Sequence, residues 1–164
     1  MKTLILVRHA KSDWGNETLT DAERPLNDRG KRDAPEMAKR TRKKLPGIDL
    51  LVASAAKRAK KTALLFAEEY KYAKEDIRIE PTLYEAPVAA YTAVLVSLPD
   101  KADTVALFAH NPTITDYANS LCNVHTDNIP TCGVFAVQAA VGTWAEFAQA
   151  EKKFLFYDYP KKSL

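Results

Sequence analysis

The run Leu4-Ile5-Leu6-Val7 does most to constrain how this chain can fold. Four consecutive apolar residues that include Ile5 and Val7, both β-branched, predict a short strand covered by core on both faces. A strand of that kind belongs inside a sheet flanked by helices. The run stops at Arg8-His9, so a guanidinium and an imidazole stand where the strand leaves the sheet. In open α/β sheets that carboxyl edge is where ligands bind. Arginine there suits a phosphate or carboxylate. Histidine beside it can act as base, nucleophile or metal ligand.

Further along, buried strands are expected at 49–53 and 104–109, with a short alternating one at 77–80. Helical spacing of apolar residues places helices between them: from Asp28-Arg29-Gly30 to about Lys44, through Ala59 to Tyr70, from Val88 to Leu98, and from about Thr113 to Cys122. Residues 15–28, with Pro25 and no sustained period, read as a long loop directly after the first strand, a position where loops carry function. Gly133 to Ala140 and Lys153 to Tyr159 predict two closing strands joined by a turn that contains Trp144 and Phe147. That pair lacks room for a crossover helix and is expected to be antiparallel. The expectation is an α/β fold over residues 1–164: one three-layer domain with a mainly parallel sheet between helices.

The charge balance, 24 basic against 21 acidic residues, is too even for a nucleic-acid binder but compatible with an anionic substrate. Lys39, Arg40, Arg42, Lys43 and Lys44 cluster near the carboxyl end of the first expected helix, where the macrodipole favours cations, and read as a solvated face. Cys122 and Cys132 lack metal-binding spacing and are expected as free thiols in a reducing cytoplasm. Arg8 interrupts the apolar amino-terminal run before a signal-peptide core is complete, and nothing reaches the length of a membrane span. A cytoplasmic location with no membrane partner follows as the expectation. Trp14 and Trp144 are expected as partly buried packing. His125 lies in a polar loop and carries no functional reading.

If the sheet is parallel, three strand ends converge. They bring Arg8-His9, Ser54 with Arg58 just inside the following helix, and His110-Asn111-Pro112. Two arginines and two histidines repel one another and lose hydration when gathered. A bound phosphate removes that objection, because guanidinium forks give it charge-assisted hydrogen bonds. The amino end of the second helix would add partial positive charge near Arg58.

These segments resemble those of a known family. Val7-Arg8-His9-Ala10-Lys11-Ser12-Asp13-Trp14 is similar to the signature that opens the histidine phosphatase superfamily. Arg24-Pro25-Leu26-Asn27-Asp28-Arg29-Gly30 resembles its loop before the first helix, Ser54-x-x-x-Arg58-Ala59-x-x-Thr62-Ala63 its second-arginine motif, and Ala109-His110-Asn111-Pro112 its Gly-His-Asn-Pro. Small size, Ala10, and the Lys11-Ser12-Asp13-Trp14 continuation resemble the SixA-type phosphohistidine phosphatases. Ala10 and Ala109 stand where glycine is commoner, and Asn16 lies one position later than the asparagine of mutase-like members, so it is given no phosphate contact.

The resemblance implies a phosphoglycerate mutase-like fold and a phosphatase that needs no metal or other cofactor. His9 would be the nucleophile, forming a phosphohistidine intermediate that water hydrolyses. Arg8, Arg58 and His110 would hold the phosphoryl oxygens. Glu85 stands where superfamily phosphatases often place the acid that protonates the leaving group. An alkoxide needs that acid, whereas an imidazole leaving from phosphohistidine needs it much less. The implied substrate is phosphohistidine in a protein. Open beside it stand a small phosphomonoester with Glu85 as acid and a silent binder of phosphorylated partners. Neither nucleic acid nor membrane is implied, and no oligomeric state is assigned.

Overall fold

β1 (Lys2–Arg8) runs through a six-stranded sheet with β2 (Leu50–Ala53), β3 (Arg78–Ile79), β4 (Thr104–Ala109), β5 (Val134–Ala139) and β6 (Lys153–Asp158), in the order β3-β2-β4-β1-β5-β6. The computed structural model describes residues 1–162; the last two positions of the expected 1–164 domain lie outside the described residues. β3, β2, β4 and β1 are parallel, and β5 runs antiparallel to both β1 and β6. The antiparallel expectation therefore holds and extends to the β1–β5 pair.

The apolar run of β1 serves two cores at once, because successive side chains of a strand point to opposite faces. Ile5 and Val7 pack with α1 (Asp28–Lys44) and α2 (Lys57–Tyr70), against Met37, Ala38, Ala63 and Phe66. Leu4 and Leu6 pack on the other face with α3 (Val88–Val96), α4 (Thr113–Leu121) and α5 (Trp144–Gln149), against Tyr91, Leu95, Ile114, Trp144 and Phe147. The three layers are thus helix, sheet, helix, and no helix among the described residues is long and apolar enough to cross a membrane.

Two expectations need correction. The segment around Trp144 and Phe147 is not a plain turn but the short helix α5, started by Thr143, whose side chain accepts from the Glu146 N–H. Its aromatic residues are fully buried, and docking against α3 lends a short helix the stability that its length alone lacks. Trp14 is not partly buried packing: it is 70% exposed, with the Arg24 guanidinium 3.4 Å from its ring centroid covering one face. A cation supplies contact where the reading placed core.

The charged end of α1 has a structural explanation. Arg40 and Lys44 both reach the buried Asp158 at the end of β6, and Arg40 also donates to the Tyr159 and Pro160 carbonyls. Both cysteines are free, with Cys132 buried. His125 is exposed, with its Nε2 3.2 Å from Asp127 Oδ1.

Candidate active site

The register of the parallel strands creates the site. Arg8 lies opposite Ala109 on the neighbouring strand, so His9 and His110 emerge side by side, their ring centroids 5.3 Å apart. β2 lies on the far side of β4 and delivers Ser54 to the same edge, and Arg58 follows in the first turn of α2. β5 begins at that edge because it is antiparallel. The Cys132 N–H there donates to both the Arg8 and His9 carbonyls, at 3.0 Å each, and pins the strand end. Arg8, His9, Arg58 and His110 line one cavity of about 210 Å³ together with Lys11, Ser12, Trp14, Arg24, Asn111 and Thr131.

His9 is set in one tautomer. Its Nδ1 lies 2.8 Å from the Ala10 carbonyl oxygen. A carbonyl only accepts, so Nδ1 carries the proton and the lone pair is on Nε2. Burial is the largest influence on its basicity and drives the pKa down to about 3; the Ala10 carbonyl works the other way, and the charges of His110, Arg58 and Arg8 lower it further. A neutral imidazole in a cationic cavity is a nucleophile ready without prior deprotonation.

His110 is held from three sides. Its Nε2 is 2.7 Å from Ser54 Oγ, which already accepts from the Ala56 N–H, so the serine hydrogen is available to Nε2. With Ser54 donating to Nε2, Nδ1 carries the proton as a donor, and among the described residues it has no protein partner. Tyr91 shares hydrogen bonds with the His110 backbone, and the ring of Tyr84 meets the imidazole edge-on at 5.6 Å. Burial first, then the positive charge of Arg58, lowers the His110 pKa to about 4.

The arginines are anchored by groups that the sequence reading did not single out. Arg8 donates through Nη1 to the Ile129 carbonyl at 2.9 Å, and burial followed by the charge of Arg58 lowers its pKa. Arg58 gives both terminal nitrogens to Asp21, Nη1 to the carbonyl at 2.7 Å and Nη2 to Oδ2 at 2.9 Å. Oδ2 also accepts from the Tyr84 hydroxyl, and Oδ1 from Arg24 at 3.1 Å. Slight burial works to raise the Asp21 pKa, but the hydrogen bonds from Tyr84 and Arg58 outweigh it and hold the carboxyl at about 2. Asp21 is therefore an ionised brace for arginines and no proton donor. Arg8 Nε and Arg58 Nε, like His110 Nδ1, are buried without a protein partner among the described residues. Buried polar groups are nearly always hydrogen-bonded, and a tetrahedral anion in the cavity would accept from all three.

Arg24, buried and bonded to Ser12 Oγ at 2.7 Å, is a third guanidinium at this cavity. In the sequence it stood out only as a member of the loop at 15–28 and as the first residue of the Arg24–Gly30 segment that resembles the family's loop, with no role assigned to it. Asp21 had no signal beyond that same loop. Glu85 is not brought into the cavity lining. It is exposed, at a left-handed φ of 49°, and close enough to Tyr84 for its charge to raise that hydroxyl's pKa.

Similar proteins share this architecture. An uncharacterised protein of Mycobacterium leprae is 25% identical over 94% of this chain and 100% of its own length. Among solved structures, a chain assigned as phosphohistidine phosphatase SixA from Nakamurella multipartitia superposes with a TM-score of 0.81 at 24% identity, covering 98% of this chain and 97% of the other. A mycobacterial glucosyl-3-phosphoglycerate phosphatase superposes with a TM-score of 0.72 at 15% identity, covering 97% and 100%. At these identities the likeness is one of fold and does not choose between the two substrates. The sequence model of the histidine phosphatase superfamily, branch 1, matches residues 4–94, which include Arg8, His9 and Arg58. The chain belongs to the histidine phosphatase superfamily.

Proposed function

We propose that this phosphatase removes the phosphoryl group from a phosphohistidine carried by a protein, passing it through His9. The observation that carries this reading is a neutral His9 Nε2 in a cavity whose lining holds cations and no carboxyl group. In the first step Nε2 attacks phosphorus while the bond from phosphorus to the substrate imidazole breaks. The electron pair goes to that imidazole, which leaves neutral when its other ring nitrogen carries a proton from water. In the second step water attacks phosphorus, the Nε2–phosphorus bond breaks, and His9 recovers its lone pair on Nε2 while its Nδ1 keeps its proton, donated throughout to the Ala10 carbonyl. The proton lost by water stays with the released phosphate or solvent. Both leaving groups are imidazoles, so neither step calls for a strong acid. An alkoxide would, because its conjugate acid is far weaker.

Arg8, Arg58 and His110 Nδ1 would face the equatorial oxygens as negative charge spreads over them. Their unpartnered nitrogens support this assignment. The exposed Trp14 at the cavity rim favours a macromolecular substrate, since tryptophan is enriched among the residues that anchor protein interfaces.

The test compares a phosphohistidine peptide with glycerol phosphate, whose leaving group is an alkoxide. The peptide should be hydrolysed far faster, with an acid-labile, alkali-stable phosphoenzyme that disappears in His9→Ala. Equal rates on both substrates would overturn the substrate assignment. A phosphoenzyme that persists in His9→Ala would overturn the nucleophile.

A further inference from the structure

The amino end of α2 is charged against its own stability. It opens Lys57-Arg58-Ala59-Lys60-Lys61, with no acidic residue in the first turn. A helix amino end favours anions, and cations there are unfavourable. Lys57, Lys60 and Lys61 fall three and four residues apart, on one face, where like charges repel. Lys31 of α1 adds a fourth ammonium to the same groove, a cavity of about 490 Å³ with Pro25, Leu26 and Leu64 in its lining.

Ion pairing does not account for these lysines. At the other end of α1, Arg40, Arg42 and Lys44 each have a carboxylate partner. Among the described residues, none of the four groove lysines has a carboxylate within 4.0 Å. Glu23 lies close enough to feel Lys57, but its carboxylate is taken by the Thr20 hydroxyl and N–H. Arg58 is explained by its place in the catalytic cavity. The lysines are not.

We propose that this groove docks an acidic surface of the phosphoprotein whose phosphohistidine enters the cavity beside it. The proposal rests on the reading of the substrate given above. The groove and the cavity adjoin through the chain itself: Lys57 lines one and Arg58 the other, as do Pro25 and Arg24. An acidic segment lying along the lysines is therefore carried toward His9. The aliphatic lining suits a protein surface and offers no ring on which a nucleic-acid base could stack. Opposed charge would act mainly on encounter and thus on kcat/KM at low salt.

Two phosphohistidine peptides of equal length test this, one with four glutamates beside the histidine and one with glutamines instead. At low ionic strength kcat/KM should favour the acidic peptide by about tenfold, with the preference fading as salt is raised. Lys60→Glu with Lys61→Glu should bring the ratio of the two kcat/KM values to about one or below. A ratio that is the same in the wild type and the variant would overturn the proposal. The unphosphorylated peptides, followed by fluorescence anisotropy, separate docking from chemistry. Acidic-peptide binding that is lost in the variant supports the groove even if phosphohistidine is not hydrolysed, and that failure would count against the substrate reading alone. A single-stranded oligonucleotide that outcompetes the acidic peptide would overturn the commitment to a protein. Lys60→Gln with Lys61→Gln guards against misfolding: it should melt at the wild-type temperature or above, because it relieves repulsion, and should weaken the acidic preference in the same direction.

Discussion

The two site histidines make the protein acid-sensitive in a window that few other groups share. His9 and His110 have pKa values lowered from 6.5 to about 3 and about 4. In the unfolded chain both take up a proton as pH falls through 6.5; in the folded chain both stay neutral until far lower. The unfolded state therefore binds more protons below 6.5, and stability falls as pH falls. The contribution is whole above about pH 6.5 and declines from there toward the folded pKa values. At pH 5 both folded values are still below the ambient pH, so the loss depends almost wholly on the unfolded one. That is 1.5 units, or about 2 kcal/mol per histidine and about 4 kcal/mol for the pair. Set against the 5–15 kcal/mol typical of a whole domain, this is a large fraction. Urea unfolding at pH 7.5 and pH 5 should show the wild-type midpoint falling by about 2 M. His9→Asn combined with His110→Asn should lose little over the same interval. The paired carboxylate of Asp21, held at about 2, titrates below this window and cannot mimic the effect. An equal midpoint shift in the double variant would refute the reasoning.

Ser54→Ala removes the hydrogen bond that sets the His110 tautomer and should lower kcat by about tenfold to a hundredfold with little change in KM, at the lower edge of the loss of one transition-state donor; wild-type kcat would remove Ser54 as a positioning residue. Asp21→Asn loosens Arg58, and since the Asp21 side chain is 41% exposed the effect is discounted to about 1 kcal/mol, read as about fivefold weaker inhibition by inorganic phosphate. Glu85→Gln should leave phosphohistidine turnover within about twofold, far from the 10²–10⁴ that a general acid contributes. A large loss confined to alkyl phosphates would instead reinstate Glu85 as leaving-group acid.

The parts of this molecule that were legible in the sequence are those written in local periodicity. Leu4 to Val7 declares a strand with two buried faces, and strand order along the chain places Arg8, Ser54, Arg58 and His110 at one edge once the sheet is parallel. What sequence did not show depends on contacts between distant segments. Asp21 braces Arg58 across 37 positions, and Ile129 receives Arg8 across 121. Neither pairing leaves a periodic trace in its own neighbourhood. Trp14 was misplaced for a related reason: hydrophobicity argues for burial, but the arginine that stacks on it comes from a loop with no period. The Trp144 helix was missed because six residues are too few to display a helical repeat.

The spacing Ser54-x-x-x-Arg58-x-x-x-Thr62 has a single physical account. Residues four apart in a helix share a face, so α2 presents Arg58 and Thr62 to the end of β1, while Ser54 reaches His110 from the end of β2. Thr62 is fully buried; its hydroxyl donates to the Arg58 carbonyl at 2.8 Å and accepts from the Ala10 N–H at 3.0 Å. Ala10 is the residue whose carbonyl fixes the His9 tautomer. Thr62 thus acts on His9, the proposed nucleophile, through one intervening residue. Thr62→Val keeps the shape and deletes the acceptor, leaving a buried N–H unsatisfied at a cost of about 1–3 kcal/mol. If Ala10 shifts, the carbonyl loses its hold on Nδ1 and the proton can settle on Nε2, which abolishes nucleophilicity for that fraction of molecules. The melting temperature and kcat should fall together in Thr62→Val, and Thr62→Ser should restore both. A variant that melts lower yet keeps full kcat would show that Thr62 only supports the fold, and the link from α2 to the His9 tautomer would have to be abandoned.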